Sequence, residues 1–557
     1  MDNTLKTKYK DAVRRLLVIF LTAQPLLDIY MNFFDDKISL FGVSLATVLR
    51  FGLVFVLLVA VVCHEWKRKA TVALLIYGGA VVVYTVFHHV NAVTFSVELA
   101  TARYHLVEEL FYLVRMCVPI ALMYIIYVVR LRYRDVKTIV VWSAFTISFV
   151  IIATNLLKIG FVAYQLEDIT VGGTMANWFF GSPEGTVWWE LSCRGFFQAT
   201  NQLSGVAVLL TPVLSYVCFR EKKPFYWVVM LMHLIAMINL SSRIASIGGP
   251  AVFAVMVVIH LAEKLIHKEI KLQKLVNGNA VFVVLCAVLA LVFFVHSPMS
   301  MRAAEGGVFD DFISGSQPDS EGGPSNGTTE KLPETQEDTS ELPGFSSNPE
   351  KDPPSRPDLT KEKMIAYVEK HYPTAGVQYL YINEAYPYTE DPEFWYHLIK
   401  EVPLSRRYGN RNLRGYIFDR VFERDNRFSN ELLGISYTRS SSLIWPERDI
   451  ETHLDSLGIV GTALFIGPYF VVLLMGIWRF FAKWKENLYL GKCVFLITGG
   501  LGVVIAYFSG HIMDEIFPSL YLSCFVGVLL STFSKNAENG MSETSKEDSQ
   551  AIGKDGE

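Results

Sequence analysis

Apolar residues in this chain come in long runs, with the polar residues gathered elsewhere. Phe51–Val62, Val72–Phe87 and Val281–Val295 carry almost no charge. A helix needs about 20 mostly apolar residues to cross the hydrocarbon core of a bilayer. That length predicts twelve spans, at residues 13–32, 43–63, 71–90, 105–128, 137–158, 201–219, 224–241, 245–264, 278–297, 456–479, 488–509 and 516–533. The first run follows Lys6, Lys8, Lys10, Arg14 and Arg15, as the core of a signal peptide would. Gln24, Pro25 and Asp28 interrupt it, and no small-x-small cleavage site follows, so it reads as a retained span.

The charges between spans set an orientation. His64–Lys69, Arg130–Arg134, Arg220–Lys223, Lys264–Lys274 and Arg479–Lys485 are short and basic, the mark of cytoplasmic loops. The alternate loops carry Asp35–Asp36, Glu167–Asp168, Glu184 and Asp514–Glu515. Twelve spans with both termini in the cytoplasm satisfy every loop. The chain is therefore expected to be an all-α polytopic membrane protein.

The polar residues concentrate in one outside loop, between the ninth and tenth spans. Its first part, to about Asp358, is acidic and rich in Pro, Ser, Gly and Glu, a composition that cannot bury enough apolar surface to fold. Aromatics return after Lys361 with Tyr379, Tyr381, Phe394, Trp395, Tyr396 and Trp445. The expected organisation is membrane helices over 1–297, a flexible extracytoplasmic tether over 298–360 and a mostly helical extracytoplasmic domain over 361–455. Membrane helices over 456–533 and a disordered cytoplasmic tail over 534–557 complete it.

Composition agrees. Charged residues are 19% of the 557, against roughly 25% in soluble domains. The net charge of −4 gives no reason to expect a nucleic-acid partner. The seven cysteines form no CxxC pair and no Cys/His cluster, so neither a disulfide framework nor a structural zinc site is expected.

Charge inside a membrane is costly and marks function by default. Here it lies on one side. Asp28, Arg50, His105, Glu108, Glu109 and Arg115 all fall toward the outer ends of their spans. Arg194 precedes the sixth span, Arg243 follows the seventh, and His511, Asp514 and Glu515 occupy the last outside loop. Two readings stand together: Asp28, Arg50, Glu108, Glu109 and Arg115 pair to hold helices together, while Arg194 and Arg243 line a polar cavity open to the outer leaflet.

Within the soluble part, Arg407, Arg411 and Arg414 fall at i, i+4 and i+7, on one face if the segment is helical. Arginine presents a planar fork suited to phosphate oxygens and stays charged, so this face would suit a pyrophosphate. The alternative is a solvated face balanced by Asp419, Glu423 and Asp425. Further on, Glu451, His453 and Asp455 lie just before the tenth span, ahead of Gly458 and Gly461. A base that activates a hydroxyl needs a carboxylate or imidazole of suitable pKa, and these are candidates. Helix capping plus an interfacial histidine is the plain alternative.

Together these stretches resemble the bacterial O-antigen ligase and polysaccharide polymerase family. Arg194-Gly-Phe-Phe-Gln-Ala-Thr-Asn201-Gln-Leu203 is similar to the family's Arg…Gly-x-Phe…Asn-x-Leu segment. Ser241-Ser-Arg243 is similar to its Ser-x-Arg loop. Arg411 and Arg414, followed by Asn430–Ser436, resemble its Arg…Gly-x-Gly stretch, with Ser436 where glycine is usual. His453 to Gly461 resembles its His…Gly-x-x-Gly ending. There the family histidine lies further upstream, at the place Glu447 holds here, which leaves Glu447, Glu451 and His453 as candidate bases.

The resemblance implies a GT-C-like glycosyltransferase with about twelve spans and a helical extracytoplasmic domain between the ninth and tenth. It would sit in the bacterial plasma membrane and move a glycan from undecaprenyl pyrophosphate to a glycan, lipid or wall acceptor. No cofactor and no metal are implied. Arg194, Arg243, Arg407, Arg411, Arg414 and Asn201 would bind pyrophosphate or glycan, and His453, Glu451 and Arg243 would be catalytic. Ligase and polymerase are not distinguished. A twelve-span transporter or flippase of polysaccharide precursors is the alternative class. Against it, no repeat relates residues 13–241 to 245–533, and the polar residues avoid the midplane.

Overall fold

The architecture is that of a computed structural model, which describes residues 3–34, 39–40, 43–97, 99, 102–164, 168–181, 186–221, 223–266, 278–305, 360–407, 410–444 and 447–533. Most of the expected tether and the expected tail lie outside the described residues.

Each predicted span is occupied by an apolar helix, in chain order. They are α1 (Asn3–Thr22) with α2 (Gln24–Phe34), α3 (Leu45–Glu65), α4 (Lys69–Val93), α5 (Leu106–Val129), α6 (Tyr133–Leu156), α7 (Thr200–Glu221), α8 (Pro224–Asn239), α9 (Gly249–Ile266) and α10 (Gly278–Val295). After the polar block, α17 (Asp449–Phe465) with α18 (Gly467–Ala482), α19 (Leu490–Phe508) and α20 (Ile516–Thr532) complete the set. Among the described residues, seven helices are long and apolar enough to cross a membrane, and two bent pairs are so when each is taken as one span. α8, α10 and α20 are shorter. The protein is an all-α polytopic membrane protein, with a two-residue antiparallel pair, Ser39–Leu40 with Val43–Ser44, ahead of α3.

The bends have local causes. The first pair turns by 48° between Thr22 and Gln24. Pro25 supplies no N–H to Leu21 O, which accepts from Tyr521 Oη at 2.9 Å instead, and the Gln24 side chain donates to Phe20 O at 3.0 Å. The second pair turns by 41°, where Pro468 opens α18.

Burial sorts the helices. α7 and α20 are enclosed by their neighbours, whereas α4 and α10 present Val82, Val83, Val86, Phe87, Val281 and Val284 outward. Such apolar faces are stable against lipid, where a helix satisfies its own backbone. α20 lies closest to α5, where Gly527 brings its backbone near Met123 O and Ile126.

A second core belongs to the polar region. α11 (Lys361–His371), α12 (Pro392–Glu401), α13 (Leu404–Arg407), α14 (Asn410–Asp425), α15 (Phe428–Leu433) and α16 (Tyr437–Leu443) build it. Trp395, Tyr386, Ile417 and Val421 are buried at its centre, and Leu99 and Ala102 from the α4–α5 connection close it underneath. The helix Pro298–Glu305 occupies the beginning of the stretch expected to be a tether. Its Arg302 is buried over Tyr164 and Trp188, which holds this turn against the bundle.

Candidate active site around His453 and the arginines

The two glycine-bearing stretches singled out in the sequence cross each other. Ile435 N donates to Asp455 O and Ser436 N to Ser456 O, both at 3.0 Å. Gly434 and Gly458 both have positive φ, and a Cβ on either would lie within 2.5 Å of the other strand's backbone. Glycine is required by this approach as much as by its dihedral. Ser436, where glycine is usual, also has φ +89°, a region side chains rarely adopt. Its hydroxyl accepts from Arg439 N at 3.3 Å and caps α16.

Buried polar groups fasten the crossing to α4 and α5. Tyr84 Oη donates to Leu457 O at 2.7 Å, and Asn91 Nδ2 donates to Gly434 O at 2.9 Å. His88 bridges Leu433 O and Glu109, and Glu109 accepts from Tyr437 N and Thr438 N. Glu109 thus holds helices together, as one of the two readings had it.

Arg414 belongs to this framework. Its fork donates to Asp455 at 3.0 Å, to Ser440 Oγ at 2.9 Å and to Ile444 O at 3.3 Å, over the ring of Phe418. Two described helices carry the arginine run, and residues 408 and 409 between them lie outside the described residues. Arg407 ends α13, half-buried, while Arg414 lies in α14; the side chain of Arg411 lies outside the described residues.

The first turns of α17 face the bundle. The Asp449 carboxylate accepts from the backbone N–H groups of His511, Ile512 and Met513, which ties α17 to the α19–α20 loop. His453 is fully buried. Its Nδ1 contacts the Asp449 carbonyl, which accepts only, so Nδ1 carries the hydrogen and Nε2 is the basic nitrogen. Nε2 faces Tyr112 Oη at 3.4 Å. Tyr112 stacks on Tyr437 at 3.7 Å, and the Arg115 guanidinium lies over both rings. Arg115 also faces Glu515 at 3.9 Å.

Asp514, beside this group, is buried. Burial pushes its carboxyl up, but His511 and Arg115 outweigh that and hold it below the usual carboxylate range. His511, Asp514 and Glu515 hold ligand atoms within 4.8 Å of one another, a spacing that suits a divalent cation. Arg115 already supplies positive charge there.

Glu451 lies two residues before His453, about 200° around the helix. It is half-exposed and paired with Arg448, on the side of Asp455 and Arg414. Glu447 contributes its backbone carbonyl where Gly510 passes closely.

The belt continues toward Arg194. Arg194 N donates to Phe161 O at 2.9 Å, and Gly195, at φ +67°, turns the chain beside it. The buried guanidinium donates to Asp168 at 2.7 Å and to Gln198 O at 2.9 Å. Gln198 N donates to Asp28 at 3.1 Å, and Asp28 lies in electrostatic reach of Arg194, Arg50 and Glu515. Arg50 donates to Gln24 at 2.9 Å and lies over Phe517. Asn201 is exposed in the first turn of α7.

Arg243 is half-buried after Ser241, whose carbonyl accepts from Tyr164 Oη. Arg302 donates to the same hydroxyl at 3.1 Å, so Arg243 and Arg302 both act on Tyr164. Arg302, Tyr112 and Tyr437 were missed in the sequence. A cation directly after the ninth span was a usable signal for Arg302; the tyrosines had none.

A family model described as O-antigen ligase like membrane protein matches residues 10–536. The chain belongs to this family. No curated protein and no solved structure matches it. An O-antigen ligase-like protein is a multi-pass membrane enzyme of glycosyltransferase type, acting in cell-surface polysaccharide assembly on lipid-linked glycan.

Proposed function

We propose that the protein transfers a glycan from undecaprenyl pyrophosphate to an acceptor hydroxyl at the outer face of the bacterial plasma membrane, as a ligase or polymerase. The chain crosses twelve times with both termini in the cytoplasm. The segment 361–455 stands outside as a helical domain, joined to the ninth span through 298–360, of which Pro298–Glu305 packs on the bundle. One observation carries the reading: buried arginines with incompletely paired forks share a belt with a fully buried histidine. Nε of Arg194 and of Arg302, Nη2 of Arg50, and Nε and Nη2 of Arg115 have no hydrogen-bond partner among the described residues.

In the reaction, the acceptor oxygen attacks the anomeric carbon from the face opposite the pyrophosphate. The new C–O bond forms as the old one breaks, with inversion. The bonding pair leaves with the pyrophosphate oxygen, and the acceptor proton passes to the base. Arg194 and Arg243, with Arg302 alongside, hold the departing pyrophosphate and neutralise its charge without a metal. His453 is the base on geometric grounds, because Nε2 faces the belt while Glu451 turns toward Arg414. Tyr112 carries the proton between hydroxyl and ring. Arg414 positions α17, its fork being filled by protein groups; Arg407 and Arg411 assist at the glycan, as does the exposed Asn201.

The test is transfer in proteoliposomes with a lipid-linked donor, with and without chelator. Arg243→Ala and His453→Asn should abolish transfer with insertion unchanged, and chelator should have no effect. Full activity in Arg243→Ala would remove the central residue of this reading.

A further inference from the structure

The membrane face opposite the His453 belt carries a second cationic site. From Glu109 to Val129, α5 runs about 30 Å, so its end lies at the other boundary of the bilayer. There Lys10 and Arg14 of α1, Glu65 and Arg68 of the α3–α4 turn, and Arg130 after α5 line an open crevice of about 400 Å³. Its lining has four cations and one carboxylate.

Neutral groups hold much of that charge in place. Arg14 Nε donates to Val129 O at 3.2 Å, and Arg68 Nη1 reaches Val128 O at 3.5 Å. These carbonyls end α5, where no later turn supplies a donor. Arg68 also lies over the Tyr127 ring. Glu65 is engaged by Lys10 at 3.0 Å, and Asp11, just outside, is shared by Arg14 and Arg132. The crevice keeps an excess of three positive charges whether or not Asp11 and Arg132 are counted with it. Below Arg68, on its own face of α4, Val72, Leu75 and Ile76 are exposed.

We propose that this crevice binds the phosphate-bearing headgroup of an anionic membrane lipid. Its arginines are prearranged for phosphate oxygens, and the apolar face of α4 beneath them offers the acyl chains a surface. A free phosphate ion shares the headgroup chemistry but has no use for that face. The site lies across the membrane from the proposed reaction centre and does not depend on it.

Native mass spectrometry of the full chain, delipidated in neutral detergent and titrated with phosphatidylglycerol or phosphatidylcholine, tests this. The wild type should retain one phosphatidylglycerol about tenfold more tightly than phosphatidylcholine. The Arg14→Gln/Arg68→Gln variant should lose that preference, and Arg14→Lys/Arg68→Lys should keep most of it. Excess inorganic phosphate should displace little lipid. Equal retention of the two lipids by the wild type would overturn the proposal, with no variant needed. Unchanged preference in the glutamine variant, or full displacement by inorganic phosphate, would overturn it as well.

Discussion

Arginine is used in two ways on the two sides of α17. In the 361–444 region the forks of Arg414 and Arg420 are taken up by carboxylates, a hydroxyl and a carbonyl of the protein, while Arg407 and Arg427 each keep a donor unmatched among the described residues. In the rim of the helix bundle, Arg50, Arg115, Arg194 and Arg302 each leave at least one donor unmatched among the described residues. A buried donor without an acceptor costs about 1–3 kcal/mol, more when charged. An anion seated at the rim would relieve that cost. The filled forks of Arg414 and Arg420 mark scaffold, and the half-filled forks of the rim suit the site.

The sharpest way to break that distinction is to truncate one arginine from each group. Arg414→Ala leaves Asp455 without its cation, which should cost about 3 kcal/mol. Thermal unfolding in detergent should show the loss, while any folded fraction still transfers glycan. Arg194→Ala should behave in the opposite way. Transfer should fall about a hundredfold, near 2.7 kcal/mol in the barrier, with little change in unfolding temperature. If the two variants lose stability equally, the contrast between filled and half-filled forks fails.

The crossing offers a milder test. Ser436→Gly should stabilise the protein by about 1 kcal/mol, because relief of the positive φ outweighs the loss of the α16 cap, worth a few tenths. A lower unfolding temperature in that variant would show that the cap dominates.

The smallest effect concerns acid. Burial pushes the Asp391 carboxyl up, but Arg420, Tyr386 and the Phe394 N–H outweigh it and hold it below the usual range. A depressed carboxylate contributes stability that is complete above its unfolded pKa, about 3.9, and is lost as pH falls through the folded value. The 361–444 region should therefore weaken below about pH 4. Asp391→Asn should remove that dependence, as followed by tryptophan fluorescence around Trp395.

What the sequence made legible follows the range of the interactions involved. The apolar runs became helices in the expected order because hydrocarbon solvation is a local property of a segment. Gly434, Ser436 and Gly458 were visible as motif positions, since a backbone that needs positive φ writes itself into one residue. That they touch was not visible, because residues 434 and 458 meet only through the fold. The same holds for Arg414, whose partner Asp455 is 41 residues away. Tyr112 and Tyr437 carry no charge or motif, and only their stacking under Arg115 reveals them.

The interlock between the 430–436 loop and α17 has a consequence for traffic. Two main-chain bonds and the clasps from Tyr84, His88 and Asn91 deny the outer assembly any swing away from the helices beneath. A lipid-linked glycan would then have to glide in sideways between helices, leaving the top free for whatever receives the sugar.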